Sequence, residues 1–325
     1  MDTVRWGILG LGRIANDFAI GLQAVPGAQL VAVGSRSKEK AQEFGERYAV
    51  PGRYAGYEEL AADPNVDIVY VATPHPMHAD DAMLCLSAGK AVLCEKPFTL
   101  NAAQAEKVIA MARQKKRFLM EGMWTRFYPI MAKIRDLLDD GTIGEPRMVQ
   151  ADFGFRVGWD IESRILNLKL GGGALLDVGV YCISLASMIF GTPSHVTGEA
   201  HIGETGVDEQ AALTLRYPKG QLATLFVAVR TNTPQAAYIG GTEGCIQIHS
   251  PWWCPTAMCV ARGSQRENVA LPRESNGFNY EIAEVMRCLR EGKLESDIMP
   301  LDETLSIMRT MDTLRTQCGL KYPME

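Results

Sequence analysis

Residues 4–15, Val-Arg-Trp-Gly-Ile-Leu-Gly-Leu-Gly-Arg-Ile-Ala, restrict the fold of this chain more than any other stretch. A short apolar run through Val4, Trp6, Ile8 and Leu9 ends at Gly10, and Gly12 and Ala15 follow at the spacing of a strand turning sharply into a helix. Gly10 permits the tight turn, Gly12 lets backbone approach a pyrophosphate, and small Ala15 lets the helix pack on the strand. The residues Gly10, Leu11, Gly12, Arg13 and Ile14 then set the positive end of a helix against phosphate. Glycine turns that bind nothing are common, so the pattern gains weight from its context. A helical pattern over residues 14–24 (Ile14, Phe18, Leu22) and a second strand over 29–33 complete a right-handed crossover.

The end of that second strand bears on the choice of nucleotide. Where a carboxylate would bind a ribose 2'-hydroxyl, the chain has Gly34, Ser35 and Arg36, followed by Lys38 and Lys40. A carboxylate would repel a 2'-phosphate, whereas Ser35 and Arg36 donate hydrogen bonds to one, so the residues predict NADP(H) rather than NAD(H). A plainer reading, compatible with the first, has Ser37 capping a helix from Lys38 with its basic residues solvated.

The chain then alternates: a short helix over 57–62, a strand over 66–72 apolar on both faces, a helix over 79–88, a strand over 91–94, a helix over 101–115 and a strand over 118–121. Loops beyond the carboxyl ends of such strands line the ligand crevice. Thr73, Pro74, His75 and His78 are therefore expected along the cofactor, with His78 read as a helix cap in preference to a catalytic group. Glu95 and Lys96 end the next strand, and residues 123–129 close the first domain. Beyond it come a helix over 130–140, a strand over 147–155, a glycine-rich loop, a helix from about 174 to 190, and short strands from 196 to about 269 without a helix between them. That is a largely antiparallel sheet, followed by helices over 280–291 and 301–318. The fold class is α/β, a doubly wound parallel sheet plus an α+β domain, divided as residues 1–122 and 123–325 with the last helix able to pack back on the first domain. In residues 222–229 both strand faces are apolar and need cover, which predicts a homodimer through this sheet.

Composition removes several classes. A chain of 325 residues is long for one core, and a net charge of -5 with interspersed signs recommends neither nucleic acid nor an anionic membrane. The first strand begins within a few residues, leaving no room for a signal peptide, and no apolar run approaches membrane-spanning length, so a cytoplasmic protein is expected. Eight cysteines form no C-x-x-C pair and five histidines lack ligand spacing, so reduced thiols and no metal site are expected.

The glycine turn, Glu95-Lys96-Pro97 and Gly172-Gly173-Ala174-Leu175-Leu176-Asp177-Val178-Gly179-Val180-Tyr181 together resemble the glucose-fructose oxidoreductase / inositol dehydrogenase family over nearly the whole chain. Residues 91–97, Trp124-Thr125-Arg126-Phe127, Val207-Asp208 and Cys254-Pro255-Thr256 look most like its dimeric dihydrodiol dehydrogenase branch, whose members also oxidise D-xylose with NADP. The resemblance implies a Rossmann domain followed by an α+β domain with an open sheet, catalysis by Lys96, Asp177 and Tyr181, and Trp124, Phe153 and Phe278 near the substrate. Tyr181 in place of His points away from the inositol dehydrogenases.

The chemistry these residues could perform is coherent. Moving hydride from a carbinol carbon requires the hydroxyl proton to leave, so a base must sit at that oxygen. Tyr181 serves if a neighbouring cation stabilises its phenolate, and Lys96, just past a strand end and before a proline that tolerates a cis peptide, is that cation. Asp177 and Tyr181 share a helix face one turn apart, and Asp177 orients Lys96 or binds a second substrate hydroxyl. Each residue has a duller rival: Glu95 and Lys96 as a surface ion pair, Asp177 as a helix cap, Tyr181 as core. Trp124 and Arg126 are expected beside the cofactor, Arg126 either as an anchor for cofactor or substrate or as half of an interdomain ion pair. The Trp252-Trp253 cluster reads as core or subunit contact, with substrate binding the lesser alternative. The leading expectation is an NADP-dependent oxidoreductase acting on a small sugar, polyol or cyclic trans-diol. The alternatives are a sugar-derivative oxidoreductase that keeps NADP bound and a non-catalytic NADP(H) sensor.

Overall fold

In the computed structural model, which describes residues 3–325, the opening apolar run is β1 (Val4–Leu9), buried at every position but Arg5. It leads through the glycine turn into α1 (Arg13–Gln23), whose buried face is Ala15, Phe18, Ala19, Gly21 and Leu22. β2 (Ala28–Gly34), α2 (Lys38–Arg47), β3 (Gly52–Tyr54), α3 (Tyr57–Ala62), β4 (Ile68–Val71), α4 (His78–Ser87), β5 (Ala91–Glu95), α5 (Ala102–Lys115) and β6 (Leu119–Gly122) follow. The six strands form one parallel sheet in the order β3-β2-β1-β4-β5-β6. β4, β5 and β6 are buried throughout, as strands with crossover helices on both faces must be. The edge strand β3 has no counterpart in the sequence reading, because three residues carry no periodicity.

The later elements are α6 (Pro129–Asp139), β7 (Pro146–Gly154), α7 (Val180–Phe190), β8 (His195–Ile202), β9 (Asp208–Arg216), β10 (Leu222–Ala228), β11 (Ala237–Gly241), β12 (Gly244–Ile248), β13 (Ala257–Arg262) and β14 (Gln265–Ala270). Their eight-stranded sheet runs β14-β13-β12-β11-β7-β10-β9-β8, antiparallel except for the β7–β10 pair. Along β10, Ala223, Leu225 and Val227 are buried while Leu222 and Phe226 of the other face stay 38% and 37% exposed. Met148 lies opposite Leu222 and is 51% exposed; Tyr238, opposite Gln150 two residues on, is 41% exposed. One apolar face is thus covered and the other is open.

The helical stretch Leu168–Phe190 corrects one expectation. It is long and apolar enough, with a mean hydropathy of 1.8, to match a membrane span by length and composition. It is a core helix here, 83% buried.

Two closing helices, α8 (Phe278–Arg290) and α9 (Leu301–Cys318), revise the division at residue 122. The chain separates into one unit ending at Trp124 that takes back Glu274–Leu305, and a second made of Thr125–Arg273 and Ser306–Glu325. It is α8 that returns to the first unit, with Asn276 Nδ2 donating to the Asp17 carbonyl at 2.6 Å and Phe278 lying against Gly21 of α1. Only the first residues of α9 belong there.

Candidate functional site

In the first unit the glycine turn has the features its sequence promised. Gly10 sits at φ +91°, and a Cβ there would meet the Ala72 carbonyl group at 2.8 Å, so the loops after β1 and β4 lie side by side. Gly12 is the N-cap of α1 without a side-chain cap, and no acidic residue occupies the first turn. Nothing lies within 4 Å of the position of a Gly12 Cβ, which leaves the amides of Arg13 and Ile14 facing an open cradle. This arrangement fits a dinucleotide pyrophosphate.

At the end of β2 the structure bears out the capping reading. Ser37 caps α2 by accepting from the Lys40 amide at 3.2 Å, and buried Ser35 accepts from the Ser37 amide at 3.2 Å. Arg36 and Lys40 are exposed. After β4, Thr73 Oγ1 donates to Asp81 at 2.7 Å, and burial pushes the Asp81 carboxyl up to about 6, with the Thr73 hydroxyl opposing. His75 is buried, and its ring lies 5.7 Å from that of His78. His78 is not the expected cap: it is the first residue of α4, and its imidazole contacts the carbonyls of Thr73 and Pro97.

At the end of β5, Glu95 is buried and accepts from the Tyr70 phenol and, at 3.1 Å, from the Lys96 amide, so the surface ion-pair reading fails for it. Lys96 is half-buried, and the Lys96–Pro97 peptide is cis. Trp124 stacks on Phe278 at 4.7 Å between ring centroids, with 6° between planes. Behind this strand end, α8 supplies Glu281, whose two carboxyl oxygens are buried without a hydrogen-bond partner. Burial, then the charge of Glu95, raises that carboxyl well above its ordinary range.

In the second unit, Asp177 and Tyr181 are buried, as the helix pattern implied. The helix itself differs from a plain α-helix: Leu175–Gly179 form a π-helical turn before α7, a feature without a local sequence signature. Asp177 does not cap that turn. The cap is Asp208, whose Oδ2 accepts from the Leu175 amide at 2.6 Å from 33 residues away in sequence. Gly173, at φ +114°, allows it, since a Cβ there would collide with Asp208 Oδ1. Asp177 is instead paired with Arg164, Nη1 to Oδ1 at 2.8 Å, a partner hidden in a polar loop.

Aromatic rings surround the phenol of Tyr181. Phe153 meets it edge-on at 5.3 Å, and Trp253 stacks on Phe153 at 4.9 Å with 4° between planes. Trp252 is fully buried core, as expected, and Trp253 extends the ring wall beside Tyr181. Arg126 is bonded within its own unit to α7. It is 2% exposed, with Nε donating to Ser184 Oγ at 2.9 Å and Nη2 to the Ser184 carbonyl at 2.7 Å, which fastens the start of the unit to α7. Among the described residues no group of three or more His, Cys, Asp or Glu could hold a metal ion. A carboxylate fixed by arginine and a phenol walled by flat rings suit a neutral, hydroxyl-bearing molecule with an apolar face.

Comparison with known proteins agrees with this geometry. Residues 4–123 match an oxidoreductase family with an NAD-binding Rossmann fold, and residues 131–247 match the GFO/IDH/MocA C-terminal domain. The trans-1,2-dihydrobenzene-1,2-diol dehydrogenase of Mus musculus is 40% identical over 99% of both chains, and that of Homo sapiens is 38% identical over the same shares. Among solved structures, the aldose-aldose oxidoreductase of Caulobacter crescentus superposes with a TM-score of 0.89 at 28% identity, covering 98% of each chain. The 3-ketoreductase KijD10 of Actinomadura kijaniata, in complex with NADP and TDP-benzene, gives 0.87 at 28% identity over 97% of this chain and 98% of its own. Matched in both halves and aligned end to end with relatives at 38–40% identity, the chain belongs to the GFO/IDH/MocA family of oxidoreductases.

Proposed function

We propose that this chain is an NADP(H)-dependent dehydrogenase that moves hydride between nicotinamide and a carbinol or carbonyl carbon of a small sugar, polyol or cyclic trans-diol. The observation that carries the reading is the sequence of strand ends in the first unit. The glycine turn, the Thr73 loop and Lys96 follow three neighbouring strands, β1, β4 and β5, where ligands of such sheets bind. The amides of Arg13 and Ile14 would hold the pyrophosphate, and Ser35, Arg36 and Lys40 would receive the 2'-phosphate. The names of the relatives, diol dehydrogenases and sugar reductases, support the substrate class.

The bound nucleotide supplies the hydride acceptor. Tyr181 takes the substrate hydroxyl proton as the C–H bond breaks and returns it in the reductive direction, while Lys96 places positive charge at the same oxygen. Asp177, held by Arg164, accepts from a second hydroxyl, and the Phe153–Trp253 wall takes the flat face of the substrate. The likeness to an aldose-aldose oxidoreductase favours a second reading, in which nucleotide is retained and recycled between two sugars. NADP co-purifying with the protein through gel filtration would select it.

The same reading takes the open sheet face of Met148, Leu222, Phe226 and Tyr238 as the contact of a homodimer, and places the chain, with its eight reduced cysteines, in the cytoplasm. A sedimentation mass of one chain at micromolar concentration would remove the dimer. For the chemistry, Lys96→Met should leave NADPH binding nearly intact and lower turnover on aldoses, inositols and trans-diols by at least about a hundredfold. Turnover equal to wild type would take Lys96 out of the reaction.

A further inference from the structure

His78 is 1% exposed, and both of its ring nitrogens are engaged: Nδ1 stands 2.9 Å from the Pro97 carbonyl oxygen and Nε2 stands 2.8 Å from that of Thr73. A carbonyl oxygen only accepts, whereas a neutral imidazole has one N–H and one lone pair. The neutral ring would therefore set lone pair against lone pair at one of its two ends. Turning the ring over puts carbons in place of both nitrogens and loses both bonds. We propose that His78 carries both ring protons and acts as a positioning residue, an imidazolium clamp that ties the Thr73 loop to the Lys96–Pro97 turn.

The surroundings can hold a cation. On α4, one turn on, Asp81 binds the Thr73 hydroxyl; on the preceding turn lies the His75 ring. From β5 come Glu95 and Lys96, and from β6 comes Glu121, whose Oε1 accepts from the Phe98 amide at 3.1 Å, the residue after Pro97. The thiols of Cys85 and Cys94 are held neutral by burial. Two carbonyl oxygens aimed at the ring nitrogens offset part of the cost of removing a positive ring from water.

The placement gives the clamp its consequence. β4 and β5 are paired as far as Val71 and Cys94, and the ladder ends there. Thr73 and Pro97 lie two and three residues beyond, so the imidazolium continues the tie between these strands where the cofactor loop and the Lys96 backbone have left the sheet. The role rests on the reading that Lys96 acts at the reacting carbon, and the two can be tested apart.

Nitrogen-15 NMR of the full-length protein labelled at histidine reads the clamp directly. At pH 7.5 both ring nitrogens of His78 should be proton-bound, assigned through ring-to-backbone couplings so that no variant is needed. One unprotonated ring nitrogen at that pH would overturn the proposal. His78→Phe, which keeps a ring without donors, should lower kcat at least about tenfold while the KM for a diol changes less than about threefold. Wild-type kcat in that variant would overturn the positioning role. A fully active Lys96→Met beside a doubly protonated His78 would sink the Lys96 reading and leave the clamp standing.

Discussion

Replacing Asp208 by Asn tests how the helix that carries Asp177 and Tyr181 is anchored. Asp208 is fully buried, and burial pushes its carboxyl from an ordinary 3.8 up to about 7, against the opposing pull of the Leu175 and Ala174 amides and of Arg315. Because the folded-state value lies above the unfolded one, this group's contribution is complete below about pH 4 and is lost as pH rises through about 7. A rise of about three units corresponds to about 4 kcal/mol at most, lost between mildly acidic and alkaline pH. Asparagine keeps an oxygen for the Leu175 amide and cannot ionise, but it places an NH2 group where Oδ1 has no partner. That substitution costs about 1–3 kcal/mol independently of pH. Urea unfolding followed by the fluorescence of Trp252 and Trp253 from pH 5 to 9 should therefore give crossing curves. Wild type is the more stable at pH 5, and the variant equals or exceeds it at pH 8 and above. Parallel pH dependences would mean that the Asp208 carboxyl ionises as readily in the folded protein as in the unfolded chain, and the argument from burial would fail.

Three further outcomes follow from the same geometry. Glu281→Gln should flatten the loss of stability on the alkaline side, since its carboxyl is raised by burial and by Glu95 and contributes stability that disappears as pH climbs through the folded value; identical wild-type and variant curves up to pH 9 would refute this. Arg36→Ala should lower the preference for NADPH over NADH by about tenfold or more, read as the ratio of kcat/KM values, if Arg36 supplies the proposed charge-assisted bond to the 2'-phosphate. An unchanged ratio would move nucleotide discrimination elsewhere. Trp253→Ala should raise the KM for diols several-fold with a smaller change in kcat if the stacked Phe153–Trp253 wall takes the proposed substrate, binding it and the transition state alike; a KM equal to wild type would return Trp253 to a packing role.

The parts of this protein that could be read from sequence are those whose cause is local. Gly10 and Gly12 announce their turn because the backbone there admits few other residues, and the buried strands β4 and β5 announce themselves as unbroken apolar runs. The cap on α2 was legible because Ser37 and Lys40 are neighbours. What escaped depends on distant partners: Asp208 capping a π turn 33 residues away, Arg164 reaching Asp177 from a loop, Arg126 bonded to Ser184, and Glu274–Leu305 returning to the first unit. His78 escaped for a related reason. A histidine before a helix looks like a cap until Pro97, 19 residues on, is found at its other nitrogen.

The apolar helix between Leu168 and Phe190 has a consequence for how this protein fails. It is kept from water by packing inside the fold, and its length and composition match those of a membrane span. Partial opening on heating would expose this apolar segment to other copies of the chain. Loss of activity with temperature should accordingly be irreversible and steeper at high protein concentration, with a half-life in place of an equilibrium midpoint as the measure of robustness.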